Sequence, residues 1–317
     1  MGCDLVVGVD LGGTKIDLGL VDPQDRIIGR RRMPTDQHEG PQAVVGRIAQ
    51  GVAELERSLS GGDRIAALGI CSPGPLDQRA GVLMDPPNLP DLHKSPLRDM
   101  LAERLDVPVR LEHDAKAAAL GDFHYGAGRG AKSMVYIVVG TGVGAAIIVD
   151  GELYRGEHNF AGEVGHVTLD RDGEVCHCGS RGCAELQMSG PRLAHNYRQT
   201  IERLGGESSS EREKQITGEL VALLAGQGDP LAGQVMENAG EALGLVVASM
   251  AMTLNIDLFV VGGSVAKSGN LLLEPARRTV PHYSFRSVGS RVRIVATSCG
   301  DDGPILGSSW LARQSLT

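Results

Sequence analysis

Aromatic side chains are scarce in this chain of 317 residues: Phe, Tyr and Trp together make up 3% of it, so its 42% hydrophobic content is mostly aliphatic. Positive charge is also short. The formal net charge is −8, which argues against a phosphate-backbone partner, because nucleic-acid binding draws on clustered Lys and Arg to release counterions. The run Arg30-Arg31-Arg32 is too short to reverse this and reads as the solvated end of a strand. No uncharged stretch promises a membrane span: Ser133 to Val149 is broken by glycines and Ala242 to Ile256 is short. Nor is there a signal-peptide pattern, since the N-terminal residues run straight into a strand, and a cytoplasmic location is expected. Val6 occupies the position where an acylation signal asks for Ser or Thr. Neither common single-loop phosphate motif occurs: there is no G-x-x-x-x-G-K-[ST], and Gly140-Thr-Gly-Val-Gly144 is not G-x-G-x-x-G.

What is present is a different phosphate device, written twice. The apolar run Leu5 to Val9 ends in Asp10-Leu-Gly-Gly-Thr14. Glycines at 12 and 13 remove the Cβ atoms that would keep backbone N–H groups from an anion, and Asp10 is placed to hold a hydrated magnesium ion against it. Downstream, Ser133 to Val139 enters the turn Gly140-Thr-Gly-Val-Gly144 and returns as Ala145 to Val149. Gly12 precedes Asp22 by the same ten positions that separate Gly140 from Asp150, which suggests duplicated halves. Two glycine turns would then clasp the phosphates of one nucleotide.

Alternating strands and helices mark an α/β protein. Strands are expected at 5–10, 15–21, 26–32, 64–70 and 107–112, and helices from Pro41, from Ser95-Pro96 through Leu105, and over 115–124. Ser95 and Asp114 are the expected caps. A loop-rich insertion runs from about 155 to 189, followed by helices near 190–204, 211–225 and 230–254, a buried strand Leu258 to Ser264, and a closing helix Gly303 to Arg313. Gly205 to Ser210 reads as a solvated loop.

Within the insertion, His166, Cys176, Cys178 and Cys183 read as a closed Cys₃His zinc site, structural because no coordination position is left open. A cytoplasmic redox poise disfavours the alternative, a disulfide. The other cysteines, Cys3, Cys71 and Cys299, read as buried small residues, and His177 is expected to point away from the ligands. Glu163 and Glu185 flank the ligand set, so fixing the metal fixes two carboxylates able to accept hydrogen bonds from sugar hydroxyls.

Taken together these segments resemble the ROK family (repressors, open reading frames and sugar kinases) of the actin-like ATPase and hexokinase superfamily. The resemblance runs nearly end to end through Asp10-Leu-Gly-Gly-Thr-Lys15, Ser72-Pro-Gly-Pro75, Pro87-Asn-Leu89, Glu112 to Ala119, Gly140 to Gly144, Gly162-Glu-Val-Gly-His166, Cys176 to Glu185, Val261-Gly-Gly263 and Gly300 to Gly307. It implies a two-lobed, ribonuclease H-like fold with nucleotide and sugar in the interlobe cleft. The lobes would be 1–122, with helix 303–317 packing back on it, and 123–302, carrying the zinc loop 155–189. It further implies an ATP-dependent hexose kinase, glucose being the expected acceptor, with Asp114 as catalytic base. ATP and Mg²⁺ would be held by Asp10, Gly12, Gly13, Thr14, Lys15, Gly140, Thr141 and Gly142, with Gly262 and Gly263 by the adenosine. The sugar would meet Gly74, Asn88, His113, Asp114, Glu163, His166 and Glu185, and the family's habits suggest a homodimer or homotetramer.

Two departures from the family pattern stand out. His113 replaces an Asn immediately before the base, and Lys116 replaces a second Asn; Ala145 and Ala146 stand where glycines are common. Because of His113, N-acetylmannosamine, N-acetylglucosamine, an amino sugar, fructose or a cyclitol are rival acceptors. A sugar-sensing regulator that does not phosphorylate is the rival of another class, opposed by the acidic charge and by the nine residues that precede Asp10, where family repressors carry a winged helix-turn-helix.

Overall fold

The computed structural model describes residues 3–203 and 216–316, which fall into two compact units, 1–130 with 301–317, and 131–300. The first unit is built on a five-stranded sheet: β1 (Asp4–Leu11), β2 (Lys15–Val21), β3 (Ile27–Pro34), β4 (Arg64–Ser72) and, after a small hairpin of β5 (Leu76–Asp77) and β6 (Val82–Leu83), β7 (Val109–His113). The order is β3-β2-β1-β4-β7, with β1 antiparallel to β2 and parallel to β4. The second unit repeats this with β8 (Met134–Val139), β9 (Val143–Val149), β10 (Glu152–Tyr154), β11 (Leu258–Gly262) and β12 (Arg293–Ala296) in the order β10-β9-β8-β11-β12. The same antiparallel meander followed by parallel strands in both units is the structural form of the ten-residue spacing in the sequence.

Side chains alternate across β1 with period two. Leu5, Val7, Val9 and Leu11 join a core with α1 (Pro41–Glu56) and α2 (Leu97–Leu105), whereas Val6 joins Ala67 and Ala312 on the opposite face. The closing helix Gly303–Arg313 packs on that opposite face, against β1, β4 and α3 (Asp114–Tyr125). Glycine permits this: a Cβ on Gly8 would lie 2.1 Å from the Ile305 carbonyl oxygen, and one on Gly69 only 1.8 Å from that of Ser308. Gly69→Ala is therefore expected to cost about 3 kcal/mol, seen as a lowered Tm. Gly46→Ala on α1, where the added Cβ meets nothing within 4 Å, should instead stabilise by up to about 1 kcal/mol through helix propensity.

The second unit packs α4 (Glu185–Met188), α5 (Gly190–Arg203), α6 (Gly218–Gly226), the long α7 (Pro230–Leu254) and α8 (Asn270–Thr279) around its sheet. Asp229 caps α7 by accepting from Leu231 and Ala232 N–H, and Asn255 ends it in the left-handed conformation. The expected helical residue 204, segment 211–215 and loop 205–210 lie outside the described residues.

Several local expectations change. The first unit runs on to Gly130, where the N–H groups of Gly126, Ala127 and Gly128 all donate to Asp122 and tie this stretch to α3. Ser95 does not cap α2: it bridges Leu83, and Pro96 takes the cap position. Asp114 is the first residue of α3 and not its cap; that place belongs to His113. Of the scattered cysteines only Cys71 is buried, Cys3 being exposed and Cys299 intermediate. Arg30, Arg31 and Arg32 do lie on a solvated strand, paired with Asp302, Glu54 and Asp17. No helix among the described residues is long and apolar enough to cross a membrane.

Candidate functional site

In the first unit the turn between β1 and β2 is held open from below. Gly12 N–H donates to the Lys15 carbonyl at 2.9 Å, and Thr35, completely buried, clamps the turn by donating its hydroxyl to Gly12 O at 2.7 Å and its N–H to Thr14 O at 2.9 Å. The Asn88 carbonyl approaches so closely that a Cβ on Gly13 would come within 2.6 Å of it. The Lys15 amine, by contrast, pairs with Asp17 at 2.9 Å on β2. Thr35 carries no motif, but the pairing of Lys15 with Pro34 in the β2–β3 hairpin sets it beside Thr14.

Asp10 lies near the end of β1, on the face covered by the closing helix, α10 (Gly303–Arg313), which follows the short α9 (Arg286–Gly289) in chain order. There the Cys71 thiol, fully buried, donates to Asp10 Oδ1 at 3.7 Å. Burial, with the negative charges of Asp114 and Asp17 adding to it, raises the Asp10 pKa to about 6. Burial likewise pushes the Cys71 thiol well above its ordinary range, so it stays a neutral donor. A carboxyl raised from 3.8 to about 6 on folding costs stability above pH 6 and releases that cost as it protonates toward pH 4. The site therefore favours a cation beside Asp10.

Asp114 sits where β7 turns into α3. Its Oδ1 accepts from Ala115 N–H at 2.6 Å and lies 2.9 Å from His113 Nδ1. The His113 ring lies over Gly74, where a Cβ would come within 2.7 Å of its Cδ2. Glu112, fully buried, accepts from the His113 N–H at 3.0 Å. Lys116 is buried on α3.

In the second unit the turn Gly140 to Gly142 is closed by Gly140 N–H donating to Gly142 O, and Gly190 N–H donates to Gly140 O. Glu185, nearly buried, accepts from Val143 N–H at 2.8 Å through Oε2. A cavity of about 360 Å³ opens beside this turn, lined by Thr141, Gly190, Arg198, Thr217, Ser264 and Val265. It adjoins Gly262 and Gly263 in sequence; Gly263 has φ +96°, and a Cβ there would meet Val139 O at 2.4 Å. Ala145 and Ala146 are buried in β9 and fill space in the sheet.

His166, Cys176, Cys178 and Cys183 bring their ligand atoms within 4.8 Å of one another. Cys178 Sγ and Cys183 Sγ are 3.7 Å apart, and Cys176 Sγ is 3.8 Å from His166 Nδ1. A tetrahedron with metal–sulfur bonds of about 2.3 Å has edges of about 3.8 Å, so the donor set and its spacing fit a zinc-sized ion. Gly162 and Gly165 bring this loop against β9: Cβ atoms there would lie 1.9 Å from Ala145 O and 2.2 Å from Val143 O. Glu163, exposed, and His166 are thereby set beside the second glycine turn's strand. His177 does not point away: its Nδ1 is 3.6 Å from Glu185 Oε1 and 3.7 Å from Cys176 Sγ.

Two mixed sheets of one topology, each with a glycine turn between its first two antiparallel strands, define an α/β protein of the actin-like ATPase class. The chain belongs to the ROK family, whose profile matches residues 6–315. It is 33% identical over 315 residues to a glucokinase of Thermotoga maritima, covering 98% of each chain. The crystal structure of a ROK family glucokinase from Streptomyces griseus in complex with glucose and AMPPNP superposes with a TM-score of 0.80 at 33% identity, covering 98% of this chain and 99% of that one. A xylose repressor of Bacillus subtilis is 28% identical, covering 96% of this chain and 75% of its own length.

Proposed function

We propose that this chain is an ATP-dependent hexose kinase that phosphorylates the 6-hydroxyl of glucose. The observation that carries this reading is the placement of Asp114 at the β7–α3 junction of the unit that also bears Asp10 and the first glycine turn, near enough to Asp10 for its charge to help raise that carboxyl. In the reaction the acceptor oxygen bonds to the γ-phosphorus, the bond from that phosphorus to the β,γ-bridging oxygen breaks, ADP leaves, and Asp114 takes the hydroxyl proton. Mg²⁺ supplies charge neutralisation beside Asp10. Gly12, Gly13, Thr14 and Lys15, with Gly140, Thr141 and Gly142, hold the phosphates, and Gly262 and Gly263 border the adenosine. Gly74, Asn88, His113, Glu163, His166 and Glu185 contact the sugar. Zn²⁺ held by His166, Cys176, Cys178 and Cys183 keeps the loop in place, His166 using Nδ1 for the metal.

A panel of sugars assayed for ADP release tests this. Glucose is expected to give the highest kcat/KM. Preference for an acetylated or amino sugar, fructose or a cyclitol would move the acceptor assignment, as the His113 replacement allows. No turnover with any sugar would favour a sugar-sensing regulator, the class of the xylose repressor relative.

A further inference from the structure

We infer that His113 is a positioning residue for the base: its imidazole Nδ1 holds Asp114 Oδ1 and leaves Oδ2 to take the acceptor proton. This rests on Asp114 being the base. Three contacts carry it. Oδ1 is engaged twice, by Ala115 N–H at 2.6 Å and by His113 Nδ1 at 2.9 Å. The ring is held over Gly74, which has no side chain to displace it. Ala115 N–H also lies 3.3 Å from Nδ1, so Nδ1 either accepts from that amide or donates to the carboxylate, and cannot do both in one protonation state.

The contact has a consequence for pH. An imidazole titrates near pH 6.5 when unperturbed. The ionisable groups in contact with it are Glu112 and Asp114, and Asp114 in turn is near enough to Asp10 on β1 and Cys71 on β4 for their charges to interact, with the buried Lys116 further along α3. Once protonated, the ring donates a charge-assisted bond to Oδ1 and lowers the basicity of the carboxylate. Turnover then falls with falling pH through the imidazole's titration. An Asn at this position, as the family pattern has, donates without titrating.

The experiment compares the full chain with its His113→Asn and His113→Ala variants, assaying ADP release with the best sugar of the panel across pH 5–9 at saturating Mg²⁺, which holds Asp10 ionised. His113→Asn should lose the acid limb assigned to the imidazole, read from the shape of its kcat profile over pH 5–9 whatever its absolute kcat. His113→Ala should lower kcat about tenfold or more with little change in the KM for ATP. Since Asn is itself a favoured cap, His113→Asn carries the test if His113→Ala folds poorly. An unchanged acid limb in His113→Asn, or wild-type kcat in a folded His113→Ala, overturns the proposal while leaving the kinase reading intact. A wild-type chain that turns over no sugar defeats the kinase reading, and this inference with it.

Discussion

Asp114→Asn is expected to lower kcat roughly a thousandfold, the scale of a lost general base, while the sugar dissociation constant measured by calorimetry changes little. An amide keeps the shape and the Ala115 contact at Oδ1 but cannot accept the proton that leaves the acceptor hydroxyl. The same change removes a negative charge that helps raise the Asp10 pKa, so Asp10 should titrate lower and thermal stability should hold or rise. Stability kept with activity lost separates a role in chemistry from one in folding. A mutant retaining near wild-type turnover would refute the base assignment.

Metal removal should act on the sugar before it acts on the fold. The loop meets β9 through Ala145 N–H donating to Gly162 O and Val143 N–H donating to Glu185 Oε2, and it sends Val164, Ala184 and Met188 into the unit's main core. Cys176, Cys183 and Leu186 form a small cluster of their own, apart from the main core of that unit. Structural zinc contributes about 10–16 kcal/mol in small peptides, so its loss should release the loop, and with it Glu163, His166 and Glu185. A chelated chain, or Cys183→Ser, is expected to raise the sugar KM at least about tenfold while far-UV circular dichroism of the remainder persists. Normal sugar binding by metal-free protein would show that the loop does not depend on the metal.

Much of this was legible in the residues. Strand-turn-strand duplication, the Cys/His spacing and the helix starting at Pro41 are local patterns, and the structure carries each of them as β1–β2 and β8–β9, a four-ligand cluster, and α1. Caps were read less well. Ser95 and Asp114 are good capping residues by type, yet the strand bridge at Leu83 and the His113 imidazole decide which residue takes the place.

Sequence alone determined most of the longer strands and helices, the repeated strand–turn–strand unit and the chemical identity of the ligand and carboxylate groups, since these follow from periodicity and residue type over short stretches; it did not mark the β5–β6 hairpin, β10, α8 or β12. Tertiary structure alone decided that Thr35 clamps the first glycine turn, that Glu185 rests on Val143, that His113 leans on Asp114 over Gly74, and that Asp10 is pushed to about 6. Each of these depends on a distance or a burial set by how strands and loops pack, and residue type does not encode either.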